Sequence, residues 1–314
     1  MSSKGAKIKL AEQYGPRLLP DQCRVPGLKL QLNIEVRQLL TGEESSALSF
    51  LNQHPLENLT LIGFIRDHGL VSERNRGNFY GYFCDGRLSG VALIGHHTLL
   101  SCEANAAQYF GQIAQQTHRL EVANLMGSGE AVAAFRQVFN EMTTGRQVLA
   151  EEKEALCVVT QLSSTGSTVT GLRQVRVEEL DEVSALHART YLEWNGVDPS
   201  AKDPVGFRQR MLTRIEKGRI WIVRDAQGIA FKTDIVSESP EAVYLEGVWT
   251  RANLRATGFG SAVLKQLGET LLQRYPAICL YASAEDKRAI SFYQKAGFSV
   301  RRVSHLVRYQ PTGH

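Results

Sequence analysis

Two neighbouring stretches of this chain carry residue types that can do chemistry. The run RATGFG, from Arg255 to Gly260, lies between an expected strand ending near Thr250 and an amphipathic helix. Glycines at 258 and 260 let a backbone approach an anion without Cβ clashes, and the helix that follows offers unpaired N–H groups and the positive end of its dipole. Arg255 adds charge beside that cradle. The run therefore reads as a loop that grips a pyrophosphate, against the plainer reading of a turn that happens to contain two glycines. Just upstream, alternation along the strand from Tyr244 to Thr250 puts Tyr244, Glu246 and Val248 on one face. Glu246 is then a carboxylate on an apolar strand beside the loop. Burial there raises a carboxyl toward the range useful for taking a proton from an ammonium group through a bridging water; pairing to a nearby arginine is the alternative.

Spacing narrows the ligand. A dinucleotide fingerprint needs a third glycine at 263, where the chain has Val263, and the Walker arrangement of Gly-Lys-Ser/Thr is absent. The remaining pattern, R-x-x-G-x-G, resembles the coenzyme A loop of the GNAT superfamily of acyl-CoA N-acyltransferases. A second motif strengthens that resemblance. After an apolar run from Ile278 to Ala282, the segment from Glu285 to Phe298 contains Asp286, Ala289, Phe292, Tyr293 and Gly297. Asp286 suits an N-cap, and Gly297 stands where a left-handed helix terminator belongs. The pattern is similar to N-x-x-A-x-x-[LF]-Y-x-x-x-G-F of the same superfamily, with Asp286 in place of Asn.

The resemblance implies an acyl-CoA co-substrate, most simply acetyl-CoA, with no metal. It implies contacts from Val248, Trp249, Thr250, Arg255, Ala256, Thr257, Gly258, Phe259, Gly260, Ser261 and Asp286, with the backbone near Val248 polarising the thioester. Glu246 becomes the general base, and Tyr293, otherwise a core aromatic, becomes the proton donor to the departing thiolate. No Ser or Cys stands in a nucleophile-elbow context, so direct attack by an amine is expected rather than an acyl-enzyme. The acceptor is expected to be a primary amine of a small molecule or an amino acid, near Glu193, Trp194, Asn195 and Asp198. A non-catalytic acyl-CoA-binding regulatory module is the competing reading, which would need the loop but neither Glu246 nor Tyr293. The histidines His96, His97, His118, His187 and His305 show no partner at catalytic spacing and read as structural or surface groups.

The elements that must position these residues follow from pattern. Thr41 and Glu44 suggest a capping box before a helix carrying Ala47, Leu48 and Leu51. Residues 78–84 and 87–95 flank Asp85-Gly86, a hairpin signal. Polar, glycine-bearing residues 163–168 mark a junction, after which a strand at 172–177, a helix with Leu180, Val183 and Leu186, a helix opening at Asp203-Pro204 and a hairpin across 219–236 lead to the strand 242–250. Leu125, Ser128, Glu130 and Ala134 recur at identical mutual spacing as Leu280, Ser283, Glu285 and Ala289. That repetition suggests an internal duplication with Val138 in the place of Tyr293. The expected organisation is an N-terminal extension over 1–35, a degenerate domain over 36–162, a linker at 163–171 and a catalytic domain over 172–314. The fold class implied is α/β of the α+β type: two tandem GNAT-like domains, each a mixed, mostly antiparallel sheet flanked by helices.

Composition sets outer bounds. The chain has 314 residues, 43% of them hydrophobic, enough for packed cores. A formal charge of +4 is too small to argue for nucleic acid. Lys287, Arg288, Lys295, Arg301, Arg302 and Arg308 crowd the C-terminal end, as a solvated face or as phosphate contacts. The start of the sequence lacks a signal-peptide pattern and no apolar run reaches membrane length, so a cytoplasmic protein with no membrane partner is expected, as a monomer or homodimer. Five scattered cysteines give neither a zinc spacing nor a disulfide framework.

Overall fold

The structure, a computed structural model, describes residues 32–118, 122–142, 147–163, 169–201 and 203–310. Most of the expected N-terminal extension and the middle of the expected linker lie outside the described residues. Packing divides the chain into two compact units: 1–155 with 283–285 and 302–314, and 156–282 with 286–301.

In the first unit, β1 (Ile34–Gln38) is followed by α1 (Glu44–Leu51) and α2 (Leu59–His68). Next come β2 (Gly77–Cys84), β3 (Arg87–Gly95), β4 (His97–Ser101), α3 (Ala104–Thr117), β5 (Asn124–Gly127) and α4 (Gly129–Met142). Its strands run β1-β2-β3-β4-β5-β12, where β12 (Ser299–Tyr309) comes from the far end of the chain. Pairing of His305 to Arg308 with Gly127 to Asn124 is antiparallel, and among the described residues of this unit only β4 and β5 run parallel. The hairpin between β2 and β3 turns at Asp85 and Gly86, both with positive φ, as its sequence predicts. Phe110, Phe135 and Phe139 lie at the centre of an aromatic core.

The second unit repeats the order. β7 (Arg173–Gln174) precedes α5 (Leu180–Asn195) and α6 (Pro204–Glu216). Then come β8 (Ile220–Asp225), β9 (Gly228–Glu238), β10 (Val243–Thr250), α7 (Phe259–Leu271), β11 (Ile278–Ser283) and α8 (Lys287–Lys295). Its strands run β7-β8-β9-β10-β11-β6, the last being β6 (Val148–Val159). Each unit is thus a mixed, mostly antiparallel sheet flanked by helices, as expected. Division by packing departs from division by chain order, because β12 from Arg302 onward belongs to the first unit and β6 from Leu156 onward to the second. A strand's own residues encode its pleat and its apolar face, not which sheet it joins.

An element that pattern reading missed marks the repetition best. After its first strand each unit closes an arginine–glutamate clasp: Arg37 Nη1 and Nη2 donate to Glu43 at 2.8 and 2.7 Å, and Arg173 Nη1 and Nη2 to Glu179 at 2.7 and 2.8 Å. In both clasps the glutamate also accepts a backbone N–H, from Leu40 and from Arg176. This corrects the capping box at Thr41. The residue before α1 is Glu43, whose carboxylate is committed to Arg37 and Leu40, and Glu44 folds back to the Gly42 N–H. The strand expected over 172–177 also shortens to two residues, since Val177 to Glu179 form a 3-10 turn around the second clasp.

Helices of the second unit start where the sequence asks them to. Asp203 caps α6 by accepting the Gly206 N–H at 2.7 Å, with Pro204 at the first helical position. Apolar residues of α5 and α6, among them Val183, Leu186, Phe207 and Met211, pack with Ile220, Ile222 and Trp249 of the sheet.

Candidate active site

The loop singled out by sequence joins β10 to α7. Its entrance is fixed by Arg251, which is paired through both terminal nitrogens to Asp225. A short 3-10 turn over Ala252–Leu254 follows. The backbone then passes through Ala256 at φ +62 and Gly258 at φ +87 before the helix begins. A left-handed alanine is an uncommon and costly conformation, held here by the surroundings. Left-handed residues leading directly into right-handed ones form the backbone pattern of anion-binding nests. Among the described residues, the N–H groups of Ala256, Thr257, Gly258, Gly260 and Ser261 have no acceptor. Arg255, exposed, donates Nε to the Thr250 carbonyl at 2.8 Å.

The two glycines do different work. Gly258 supplies a left-handed turn with nothing within 4 Å of where a side chain would begin. Gly260 is buried, and a Cβ there would stand 2.5 Å from Thr250 Oγ1 and 3.1 Å from Phe292. It lets α7 pack against the end of β10 and against α8. Phe292 in turn contacts the Tyr293 ring, centroids 5.1 Å apart, and Tyr293 meets Phe298 at 6.1 Å. Loop, Thr250 and the Phe292–Tyr293 pair are therefore brought together. Asp286 caps α8, accepting N–H bonds from Arg288 and Ala289 at 2.9 and 3.0 Å.

β10 departs from simple alternation. Its parallel pairing with β11 covers only Val243 and Tyr244, after which the two strands make no further ladder pairs. Against β9 the register shifts twice, between Tyr244 and Leu245 and between Glu246 and Trp249. Gly247, at φ +64, and Val248 fall in the second shift and have no ladder partner. A bulge re-aims side chains and frees backbone groups. It explains a correction: Glu246 is exposed rather than buried.

Sequence reasoning missed the groups beneath that bulge. Lys232 and Asp234 of β9 are 2% and 1% exposed and form a bidentate ion pair, both contacts 2.7 Å. His187 of α5 places Nδ1 3.2 Å from Asp234 Oδ2, and Arg214 of α6 approaches the same oxygen at 3.6 Å. Burial works against the Asp234 charge, but Lys232, His187 and Arg214 outweigh it and hold the carboxyl below the ordinary range. A Cβ on Gly247 would lie 3.5 Å from Asp234 Oδ2 and 3.8 Å from Lys232 Nζ. The only signal in the sequence was a lysine and an aspartate inside an apolar strand.

Of the C-terminal basic residues, Arg302 pairs with Glu57 and Arg308 with Glu152, while Lys287 and Arg288 are exposed on the first turn of α8. Among the described residues, no cluster of three or more His, Cys, Asp or Glu is placed to hold a metal ion, and no helix is long and apolar enough to cross a membrane.

A family model described as FR47-like protein matches residues 234–307, from the buried Asp234 into β12. No curated protein matches the chain. Solved structures do. A GCN5-related N-acetyltransferase from Sphaerobacter thermophilus is 12% identical, with 93% of this chain and 96% of that one covered at a TM-score of 0.57. A tandem GNAT protein from the clavulanic acid biosynthesis pathway is 13% identical, covering 90% and 100% at 0.53. A GNAT-family acetyltransferase from Colwellia psychrerythraea is 13% identical, covering 87% and 98% at 0.51. The chain has the GNAT fold, and the likeness runs through both units.

Proposed function

We propose that this chain is an acyl-CoA-dependent N-acyltransferase working through its second unit, transferring acetyl from acetyl-CoA to a primary amine of a small molecule or amino acid by direct attack. One observation carries the reading: a strand that parts from its parallel neighbour after Tyr244 delivers a nest of N–H groups without acceptors at the start of α7. Such a nest, with Arg255 beside it, suits a pyrophosphate. The open space at Gly258 leaves room for one.

In this reading Ala256 to Ser261 hold the pyrophosphate and Thr250 lines the approach, while the Trp249 side chain, expected at the ligand, is buried in the core instead. The Val248 N–H, released from the ladder by the bulge, polarises the thioester carbonyl. The amine nitrogen bonds to the carbonyl carbon, and the carbon–sulfur bond then breaks. Tyr293 supplies the proton for the leaving thiolate. Exposed Glu246, beside the bulge, drains the proton lost by the amine toward solvent through water. Release of free thiol from acetyl-CoA across a panel of amines, amino acids and peptides tests the proposal. Thiol release with at least one amine is expected; tight acetyl-CoA binding with no acceptor turned over would favour a regulatory binding module instead.

A further inference from the structure

A buried lysine–aspartate pair is a poor way to gain stability. Desolvation of both charges offsets most of their attraction, and apolar residues of similar volume often do as well or better. Lys232 and Asp234 are nevertheless enclosed almost completely, directly below the bulge at Gly247 and Val248. Besides Arg214, 3.6 Å from Asp234 Oδ2, the pair has a second partner in His187. His187 sits on α5, its ring stacked near-parallel to Tyr191 at 6.2 Å and tilted against Phe207 at 5.9 Å. Its Nδ1 faces Asp234 Oδ2 at 3.2 Å and Lys232 Nζ at 3.4 Å. Lys232 already gives two hydrogen bonds to the Asp234 oxygens, so the shorter contact is the natural one for a His187 N–H donating to the carboxylate.

That bond decides the tautomer. With the proton on Nδ1, Nε2 carries a lone pair, and among the described residues it makes no hydrogen bond. The His187 side chain is 16% exposed, whereas that of Asp234 is 1% exposed. A carboxylate that fixes one ring nitrogen and leaves the other as an acceptor is the arrangement that turns an imidazole into a directed base.

We propose that His187 takes the proton from the attacking amine, with Asp234 and Lys232 as positioning residues behind it. The proposal deepens the acyltransferase reading and rests on it. As nitrogen bonds to the thioester carbon, its proton passes to Nε2. The resulting imidazolium is stabilised by Asp234, and the proton then moves on to water and the exposed Glu246. Lys232 keeps Asp234 ionised and fixed, and Gly247, lacking a side chain, leaves the approach beside the carboxylate open.

Two measurements on the full chain test this. Long-range proton–nitrogen NMR, with the signal assigned through His187→Gln, is expected to show Nδ1 protonated and Nε2 bare in the unmodified protein; an Nε2-protonated ring would overturn the assignment. In the thiol-release assay, His187→Ala is expected to lower kcat about 10²-fold with acetyl-CoA affinity unchanged, and added imidazole to restore part of the rate. An unchanged kcat, or a loss that imidazole does not touch in a folded protein that still binds acetyl-CoA, sinks the role of His187 alone. Failure of the unmodified protein to bind acetyl-CoA instead brings down the reading beneath it.

Discussion

The two units differ most where a strand hands over to a helix. In the second, β10 ends at Thr250 and α7 begins at Phe259, with residues 251–258 between them; in the first, β4 ends at Ser101 and α3 begins at Ala104. Cys102 and Glu103 leave no length for a nest. Glu103, in the extended conformation before α3, also puts a carboxylate at the helix start, where the dipole would otherwise favour a bound anion. The strands behave accordingly. β4 stays paired with β5 from His97 to Leu99, and a Cβ on Gly127 would meet Leu100 at 3.0 Å, whereas β10 leaves β11 after Tyr244. One topology is thus closed in the first unit and parted in the second, which is why a single acyl-CoA site per chain is proposed.

The largest effect is expected from charge at that nest. Gly258→Asp sets a carboxylate against the pyrophosphate, and at about 4 Å in a partly screened site this repulsion corresponds to about a 10³-fold loss of acetyl-CoA affinity. Gly258→Asn shares the left-handed backbone burden without the charge, so its loss should be far smaller. Calorimetry on both variants separates charge from strain, and on the unmodified chain it should give one site. Two equivalent sites would erase the contrast between the units.

Tyr293 is the next test, since the matching position in the first unit is Val138. Tyr293→Phe keeps the contacts to Phe292 and Phe298 and removes only the hydroxyl. A drop in kcat of about 10²-fold with unchanged acetyl-CoA affinity is expected from loss of one proton donor. Full turnover would return Tyr293 to a packing role alone. Glu246→Gln should cost less, about tenfold in kcat, below the scale of a direct acid or base, because the carboxylate is exposed and acts through water. A loss exceeding that of His187→Ala would make Glu246 the primary base.

What the sequence made legible was local. The glycine-punctuated loop, the Asp286 cap and the Gly297 stop each depend on residues a few positions apart, and they stand where pattern puts them. Glu246 was misplaced because alternation assumes an unbroken ladder, and the bulges of β10 can be read only against β9. The His187–Asp234 contact spans 47 residues and needs α5 laid across the sheet. Exchange of β6 and β12 is a property of the assembled sheets and not of either strand. The paired clasps were within reach: Arg37-Gln38 and Arg173-Gln174 each stand six residues ahead of the glutamate they bind, a firmer sign of duplication than the spacing compared.

Those clasps give the smallest and most symmetrical prediction. Glu179 is held at about 2, below its ordinary 4.5, first by the hydrogen bond from Arg173, against the opposing cost of burial, and then by the Arg176 N–H and nearby Arg224. A carboxyl depressed on folding contributes stability that is fully present above the unfolded value and fades as pH falls through the folded one. Glu179→Gln should therefore cost about 1 kcal/mol near neutrality, the scale of a well-formed, partly exposed bidentate pair. That difference should shrink below pH 4.5 and vanish near 2. Glu43, also depressed chiefly by its hydrogen bond from Arg37, should follow the same course in the first unit. Arg224 adds a second charge only at Glu179, 3.8 Å away, so Glu43→Gln is expected to cost somewhat less. Urea unfolding of each variant beside the unmodified protein, from pH 7 down to 2, measures both differences. A pH-independent gap would mean that the lost contribution is packing rather than charge, and that the clasps are alike in shape but not in what holds them.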